Sequence, residues 1–429
     1  MPAIGRKGNE QYIKSWQMEP LAIAVLAGLT PKDVEVFFYD DRIEPIPYDE
    51  STDLAAISVE TYTAKRAYQI SAQFRLKGVK VILGGFHPTL MPQEAIEYAD
   101  SVLIGEAEGL WQEVIEDARK NILKKFYKSE NRPSLTGIKP EREIFKGKHY
   151  LPLSLVETGR GCQFACNFCS ISAFFHATHN YRPIQEVVAE VEALNRKVVF
   201  FVDDNIIANL DHAKELFRAL IPLKIRWISQ ASINIASNDE LLKLMVKSGC
   251  VGLLIGLESL NRDNLRQMNK PLNDYEIALK KLRAYGILVY ATFIFGYDGD
   301  RMESFKQTLE FAIKHKLILT AFNHLVPFPG TPLYDTLAKQ KRLLYKKWWL
   351  EPEYKFGDIA FQPKLMSPEQ LAKVCFDYRS KFYSPVSILR RGFDFKANCK
   401  SMFNLITFIS QNFFAQEEVK KRHGLPLGR

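Results

Sequence analysis

Short apolar runs alternate with amphipathic stretches along two separate parts of this chain, and that alternation constrains the fold more than any other feature. Before about residue 125, the strand candidates are 34–39, 54–59, 79–83 and 101–104, with helical patterns at 21–29 and 64–77. Strands that are separated by helices pair in parallel. We therefore predict a doubly wound parallel α/β sheet over residues 1–125. Such a sheet usually opens with a strand, of which residues 1–4 are only a stub.

The second alternating part covers residues 151–335 and holds six strand candidates, at 153–157, 197–202, 225–229, 251–257, 288–295 and 320–326. Six consecutive βα units predict a partial (β/α)6 barrel of the TIM type, with its chemistry at the C-terminal ends of the strands. Residues 126–150 are charged, contain Pro and Gly, and predict a linker. Residues 336–429 are aromatic and basic and predict a helical C-terminal region.

Length and charge limit the class of protein. At 429 residues, two or three domains are expected. The first residues lack the apolar core of a secretory signal, and no stretch reaches the roughly 18 apolar residues of a membrane-spanning helix, so we expect a cytoplasmic protein. The excess of the +9 net charge lies after about residue 378, and no nucleic-acid-binding module is recognisable. We therefore expect no nucleic-acid partner.

Three of the six cysteines, Cys162, Cys166 and Cys169, lie within eight residues directly after the first strand of the second part. In a reducing compartment such crowding indicates metal or redox chemistry more often than disulfides. Three thiolates leave one iron of a four-iron cluster without a protein ligand, and an open metal position is typical of a reactive site. Zinc held by two cysteines with His176 and His179 is the alternative.

The CxxxCxxC spacing after a strand resembles the radical S-adenosylmethionine (radical SAM) superfamily, and the similarity extends through the second part. The resemblance implies a [4Fe-4S] cluster that reductively cleaves S-adenosylmethionine to a 5′-deoxyadenosyl radical, which abstracts hydrogen from an unactivated carbon. It also implies S-adenosylmethionine contacts at successive strand ends. These contacts are Phe168, Asp204, Asn205, Gln230, Ser232, Glu258 and Gly296.

A doubly wound, Rossmann-like domain before such a barrel resembles the cobalamin-binding branch of this superfamily, which contains methyltransferases and anaerobic cyclases. The segments after the strands are then the implied cobalamin contacts, namely Ser58, Thr61, Gly84, Gly85, His87, Gly105 and Glu106. The Asp-x-His-x-x-Gly motif with the cobalt-ligating histidine is absent, and residues 39–44 (YDDRIE) stand near its expected place. A structural remnant without cobalamin is the alternative for this domain.

Residues 402–414 place apolar side chains at near-helical spacing between basic clusters. They fit a helix lying on the inner face of the membrane, or a helix that caps the barrel. For the whole chain, the resemblance implies a small-molecule or lipid substrate and an electron donor such as flavodoxin or ferredoxin. Methylation and cyclisation or rearrangement both stay open. The rival classes are a tRNA methylthiotransferase-like enzyme and a non-enzymatic binding module that carries zinc or a cluster.

Overall fold

The structure, a computed structural model, describes residues 17–49, 51–422, 424–425 and 427. Its first sheet has four parallel strands in the order β1-β2-β3-β4. These are β1 (Leu54–Ser58), β2 (Lys80–Gly84), β3 (Ser101–Ile104) and β4 (Phe126–Lys128). The helices around it are α1 (Leu21–Leu29), α2 (Ala64–Leu76), α3 (Phe86–Leu90), α4 (Pro92–Ala95) and α5 (Trp111–Arg119), with 3-10 turns at Thr61–Thr63 and Arg142–Phe145.

The parallel pairing agrees with the prediction, but the described strands follow one another without the reversal that defines a doubly wound sheet. Among the described residues, the predicted strand at 34–39 pairs with no strand of this sheet. Phe37 in that segment is 69% exposed, whereas Val34 packs against the core beneath α1 and α5. The strand stub at residues 1–4 lies outside the described residues.

The predicted linker at 126–150 is a further correction, because its first residues form β4. The strand pairs with β3, and the Tyr127 side chain is buried in a core with Trp111 and Ile82. The Tyr127 hydroxyl donates a hydrogen bond of 2.8 Å to Asp117. A three-residue strand is too short to show periodicity, which is why the pattern reads as linker.

Alternation along the strands buries both faces of the first sheet. Val81 and Leu83 of β2 belong to a core that also contains α2 and two tryptophans from far along the chain, Trp348 and Trp349. Ile82, between them, belongs to the core beneath α1 and α5. The first sheet is therefore packed on both faces. Residues beyond 340 complete the core on the face that α2 covers.

The second sheet has six parallel strands in consecutive order, as six βα units require. Its strands are β5 (Ser154–Val156), β8 (Val198–Phe201), β9 (Arg226–Gln230), β10 (Cys250–Glu258), β11 (Leu288–Phe295) and β12 (Leu319–His324). Each matches its predicted strand to within two residues. An antiparallel pair, β6 (Gly159–Gly161) and β7 (His179–Tyr181), branches off after β5.

The helices of this part are α6 (Ser170–Phe175), α7 (Ile184–Leu194), α8 (Leu210–Leu220), α9 (Asp239–Lys247), α10 (Arg262–Gln267), α11 (Tyr275–Ala284), α12 (Met302–Lys314) and α13 (Pro332–Lys339), with 3-10 turns at Ile221–Leu223 and Ile233–Ser237. Several of these helices begin at a residue whose side chain caps the helix N-terminus. The side chains of Asn209, Asn238 and Asp274 each accept the first free amides of the helix that follows. Fully buried Phe201, Trp227 and other apolar side chains of the strands fill the core between sheet and helices.

The C-terminal region contains three helices, α14 (Pro368–Phe382), α15 (Pro385–Gly392) and α16 (Met402–Arg422). The helical prediction for residues 336–429 was too broad, because residues 340–366 are mostly irregular apart from a bridge between Leu343 and Phe361. This irregular stretch carries the two tryptophans of the first core. Among the described residues, no helix combines the length and apolar character that crossing a membrane requires.

The C-terminal edges of the two sheets face each other. Phe86, which follows β2, packs on Phe174 of α6 with ring centroids 4.5 Å apart. Tyr62, which follows β1, meets Phe328, which follows β12, at 5.7 Å. Because loops at both edges carry the predicted ligand contacts, the fold brings the two sets of candidate site residues to one interface.

Candidate active site

The three clustered cysteines lie in the loop that joins β6 to α6. Gly161 ends β6 in a left-handed conformation (φ +92°). A Cβ atom at this position would lie closer to the Thr178 carbonyl oxygen than two such atoms can approach. Only glycine therefore fits directly before Cys162. At the other end of the loop, Cys169 stands at the N-terminal cap of α6, and its amide donates to the Cys166 carbonyl at 3.2 Å.

The cysteine loop is anchored by Asn167 to the segments that follow β10 and β11. The Asn167 amide group donates to the Gln267 carbonyl at 2.7 Å, and its side-chain oxygen accepts from the Tyr297 hydroxyl at 2.8 Å. The Asn269 side chain adds a bond of 2.9 Å to the Ala165 carbonyl. This anchoring asparagine was missed at the sequence level, because a single Asn between cysteines gives no pattern.

The donor set fits an iron–sulfur cluster. Burial raises the pKa of all three thiols, that of Cys166 to about 11, and each pKa is raised further by nearby acidic groups. Cys169 acts in this way on both Cys162 and Cys166, so the three sulfurs lie near one another. Half-buried thiolates that repel one another call for a positively charged partner, which iron supplies. Cys162, Cys166 and Cys169 are the residues that would hold it.

Zinc receives no support from the geometry. Over the described ranges, no three His, Cys, Asp or Glu side chains are arranged to hold a single metal ion. A cubane cluster does not need that arrangement, because each cysteine binds a different iron. His179 instead lies in β7, and burial lowers its pKa to about 4. Its ring is stacked on Tyr181 with centroids 6.2 Å apart.

Two consecutive aspartates follow β8 at the edge beside the cysteine loop. Asp204 accepts a bond of 2.7 Å from the Gly161 amide, and burial raises its pKa to about 6. Burial likewise raises the pKa of Asp203 to about 7, and this side chain holds Thr158 through both its amide and its hydroxyl. Asp204 thus bonds the backbone at the start of the cysteine loop, whereas Asp203 supports the first strand end.

The other predicted S-adenosylmethionine contacts lie at the following strand ends. The Asn205 side-chain oxygen accepts from the Ser232 amide at 3.1 Å, and its buried amide nitrogen has no partner among the described residues. Gln230 ends β9, and its carbonyl accepts from Ile206. These residues form one line along the edge of β8 and β9.

Glu258 and Gly296 occupy the ends of β10 and β11. Glu258 has a left-handed backbone (φ +63°) and accepts a bond of 2.9 Å from Lys270. The Gly296 amide donates to buried Asp300 at 2.8 Å. The structure therefore brings the predicted contacts to one sheet edge, and it adds Lys270, whose charge also lowers the pKa of Cys166.

Four of the predicted cobalamin contacts lie at the C-terminal edge of the first sheet. Ser58 is exposed at the end of β1 and pairs in register with Gly84 of β2. Gly85 has φ +102°, and a Cβ there would meet the backbone of Val59 at 3.0 Å. Gly105, after β3, has open space around its Cα and donates to Thr89 at 2.9 Å.

Three other predicted contacts are engaged in protein contacts instead. His87 is fully buried, and its ring nitrogens meet Thr61, Tyr68 and Glu94 at 3.0 to 3.3 Å. Both ring nitrogens thus have protein partners, and a cobalamin contact through His87, which stays a prediction, would require the ring to leave this network. Thr61 is buried in the same network.

Glu106, the third of these predicted cobalamin contacts, belongs to a charged network between the two sheets. It bonds Arg132 at 2.7 Å and lies 3.4 Å from Arg160, which also pairs with Glu108 and Glu157 at 2.5 Å. The network holds the edge of the first sheet against β6. Glu106 therefore fixes the interface rather than offering a free carboxylate.

A cavity of about 400 Å³ opens between the two sheets and the C-terminal helices. Cys169 and Phe168 contribute from the cysteine loop, Tyr62 from the first part of the chain, and Arg379 from α14. The wall is mainly apolar and aromatic. Sequence patterns pointed to Phe168 but missed Tyr62 and Arg379, because only the fold brings residues so distant in sequence together.

The profile of the radical SAM superfamily matches residues 156–312. Bacteriochlorophyllide d C-12(1)-methyltransferase of Chlorobaculum tepidum is 32% identical over 388 residues, which cover 87% of this chain and 84% of the relative. The chain belongs to the radical SAM superfamily. The predicted family and enzyme class are thereby confirmed, and the cluster and S-adenosylmethionine follow from that family.

Two solved structures of radical SAM proteins share the fold. OxsB, with aqua-cobalamin and S-adenosylmethionine bound, has a TM-score of 0.61 and 15% identity over 94% of this chain and 69% of its own. TsrM from Kitasatospora setae, a methyltransferase with cobalamin and a [4Fe-4S] cluster bound, has a TM-score of 0.56 and 18% identity over 68% of each chain. The predicted cofactors agree with those present in these enzymes.

Proposed function

We propose that this radical SAM enzyme transfers a methyl group to an unactivated carbon of an apolar substrate, with cobalamin bound at the first sheet. The facing C-terminal edges of the two sheets carry the proposal. Cobalamin beside Ser58 and Gly105 would meet the cavity through the post-β1 segment that bears Tyr62, and the cysteine loop borders the same cavity. The 32% identical relative is a methyltransferase, which favours methylation over cyclisation.

Each part of the site has a defined task in this proposal. The cluster, when bound, supplies the electron that cleaves S-adenosylmethionine. Asn167 and Gly161 fix the loop that presents the thiolates, and Asp204 holds the loop backbone. Asn205, with its unpartnered amide, and Glu258 provide polar atoms at the strand ends for the methionine and ribose groups. The apolar cavity wall limits access of water to the reacting carbon.

The finer architecture is part of the same proposal. Residues 1–125 would form the cobalamin-binding unit, and residues 151–335 the partial barrel. Of the predicted linker, residues 126–128 form β4 of the first sheet and residues 129–150 connect these units, and residues 336–429 would close the substrate side. The charged network around Arg160 supports a boundary between the two sheets, because it joins Glu106 and Glu108 after β3 to β6 by ion pairs and not by a shared apolar core.

A tRNA methylthiotransferase-like function has weaker support. Such enzymes carry a second cluster with its own cysteines near the N-terminus, and this chain has no cysteine before Cys162. They also end in a small β-barrel, whereas α14, α15 and α16 occupy the corresponding part here.

The experiment is product analysis after anaerobic reconstitution. The protein is reduced with dithionite and given S-adenosylmethionine, and nucleosides are separated by liquid chromatography and mass spectrometry. We expect 5′-deoxyadenosine, formed slowly without substrate and ended by exposure to air. Formation of S-adenosylhomocysteine alone, with no deoxyadenosine under any reducing condition, would contradict radical initiation.

We also propose that α15 and α16 contact the anionic inner face of a membrane. On α16 the exposed side chains of Met402, Ile406, Ile409 and Phe413 recur every three or four residues. Its buried face mixes apolar Phe408 and Val419 with polar Asn412, which bonds the Ile318 carbonyl at 3.1 Å. This helix therefore exposes apolar side chains where an ordinary surface helix exposes polar ones.

The charges beside this apolar face favour lipid as the partner. Exposed basic side chains flank it at Arg390, Lys396 and Lys400. The only acidic residue between 384 and 416 is Asp394, which is buried and paired with Arg283. An apolar face with a basic rim fits anionic lipid headgroups.

A further inference from the structure

We propose that the substrate is a planar, largely apolar molecule with a carboxylate, and that Arg379 binds this carboxylate at the wall of the cavity. The inference rests on the proposed function, because it identifies the substrate class of that enzyme. It concerns the part of the cavity wall that α14 and β12 form. Arg379 would thus determine which substrates enter and how they are oriented.

The charge of Arg379 lacks a counterion. Its guanidinium donates to the Phe322 carbonyl at 2.7 Å and to the Asn323 side chain at 3.1 Å, both neutral acceptors. Its buried Nε has no hydrogen-bond partner, and no carboxylate among the described residues forms an ion pair with it. A partly buried guanidinium in an apolar wall is stabilised by an anion, and a carboxylate matches its planar fork of donors.

The rest of the lining specifies the body of the ligand. Aromatic rings of Tyr62, Phe168, Phe328, Phe356 and Phe376 border the cavity, together with aliphatic side chains. Flat rings of this kind favour a flat, apolar partner. A cavity of about 400 Å³ also lies within the range of small-molecule sites in proteins.

The arrangement also determines how such a ligand would be oriented. Arg379 lies on α14, whereas Cys169 and Phe168 come from the cysteine loop of the same cavity. A carboxylate held at Arg379 therefore leaves the apolar body to extend along the wall toward the loop that presents the cluster. Substrates without the acidic group would lose this orientation even if their apolar body fits.

The test compares a planar acid with its neutral ester. Pheophorbide a and methyl pheophorbide a differ only in the carboxylate, and both absorb and fluoresce in the visible range. Their dissociation constants are measured by fluorescence anisotropy with the anaerobically reconstituted full chain. The variants are Arg379→Gln, Arg379→Lys and, as a matched control, Arg218→Gln on the exposed surface of α8.

Wild type should bind the acid about tenfold or more tightly than the ester, as expected for charge-assisted hydrogen bonds. Arg379→Gln should abolish this preference and leave ester binding within about twofold, whereas Arg379→Lys should keep part of it and Arg218→Gln all of it. Iron content and melting temperature report on folding. If Arg379→Gln does not fold, the wild-type preference and its partial retention in Arg379→Lys decide.

Equal affinity of wild type for acid and ester would overturn the inference, as would equal losses for both ligands in Arg379→Gln. Absence of binding by either ligand, in a protein that still produces 5′-deoxyadenosine, would refute the substrate class and leave radical initiation intact. Absence of deoxyadenosine would instead refute the proposed function, whatever the binding result.

Discussion

Replacement of Gly161 by alanine tests whether the cysteine loop is held in place by its glycine. The residue has φ +92°, where an L-residue costs roughly 1–2 kcal/mol. The added methyl group would also overlap the Thr178 carbonyl oxygen, which belongs to the backbone and cannot rotate away. Because Gly161 pairs with His179, the clash must separate β6 from β7 next to Cys162.

The magnitude follows from what that separation breaks. The Gly161 amide donates to the Asp204 carboxylate at 2.7 Å, a charge-assisted bond worth about 1.5–3 kcal/mol. Added to the backbone strain, this gives about 2.5–5 kcal/mol against the cluster-binding loop conformation. A penalty of that size reduces the binding-competent fraction by at least about 70-fold. We therefore expect Gly161→Ala to lose its iron to a competing chelator far more readily than wild type.

The assay is iron retained per chain after anaerobic reconstitution and incubation with graded chelator. Gly147→Ala is the matched control, since Gly147 has φ +78° and nothing within 4 Å of a new Cβ. It carries the same backbone strain without the clash and should keep wild-type iron. Wild-type retention of iron by Gly161→Ala would show that the loop geometry is not what positions the cysteines.

Three further predictions test the other parts of the site. Serine in place of Cys162, Cys166 or Cys169 should each abolish stable cluster binding, because two thiolates hold a cubane weakly, whereas Cys399→Ser should leave the iron content unchanged. Ser58→Trp should prevent stoichiometric hydroxocobalamin binding, measured by absorbance after gel filtration, while Ala56→Trp, two residues earlier on β1, should not. Equal binding by both variants would show that cobalamin does not lie against Ser58, and absence of binding by wild type would favour a structural remnant. Ile409→Asp with Phe413→Asp should abolish flotation with vesicles of anionic phosphatidylglycerol, and lipid-independent loss of a dimer would instead assign this face to a second copy of the chain.

The second sheet could be predicted from sequence because each of its elements carries its own signal. Buried strands such as β11 are continuous apolar runs, and the helices between them begin at capping residues such as Asn238 and Asp274. The cysteine loop was equally legible, since three thiols within eight residues are typical of a metal or cluster site. Local chemistry and tertiary structure agree throughout this part.

The first sheet was less predictable because its apolar patterns do not reveal their partners. Residues 34–39 look like a strand but pair with no strand in the described part of the chain, and β4 looks like a linker but pairs with β3. For His87, too, the sequence pattern does not reveal the partners of the side chain. A histidine after a strand suggests a ligand, but only the fold shows that Tyr68 and Glu94 enclose it.

The His87 network has a consequence for how the two halves of the site are kept together. Glu94 also accepts a bond of 2.9 Å from the Trp349 indole and pairs with Lys347 at 3.1 Å. These two residues belong to the irregular stretch that follows β12 and α13 in the chain, so the same carboxylate connects the first sheet to the second part. A histidine that bound cobalt would have to leave this network and expose a buried carboxylate. In this arrangement His87 helps to hold the first sheet against the residues after β12, and we therefore expect cobalamin to take its contacts from the exposed edge at Ser58 and Gly105.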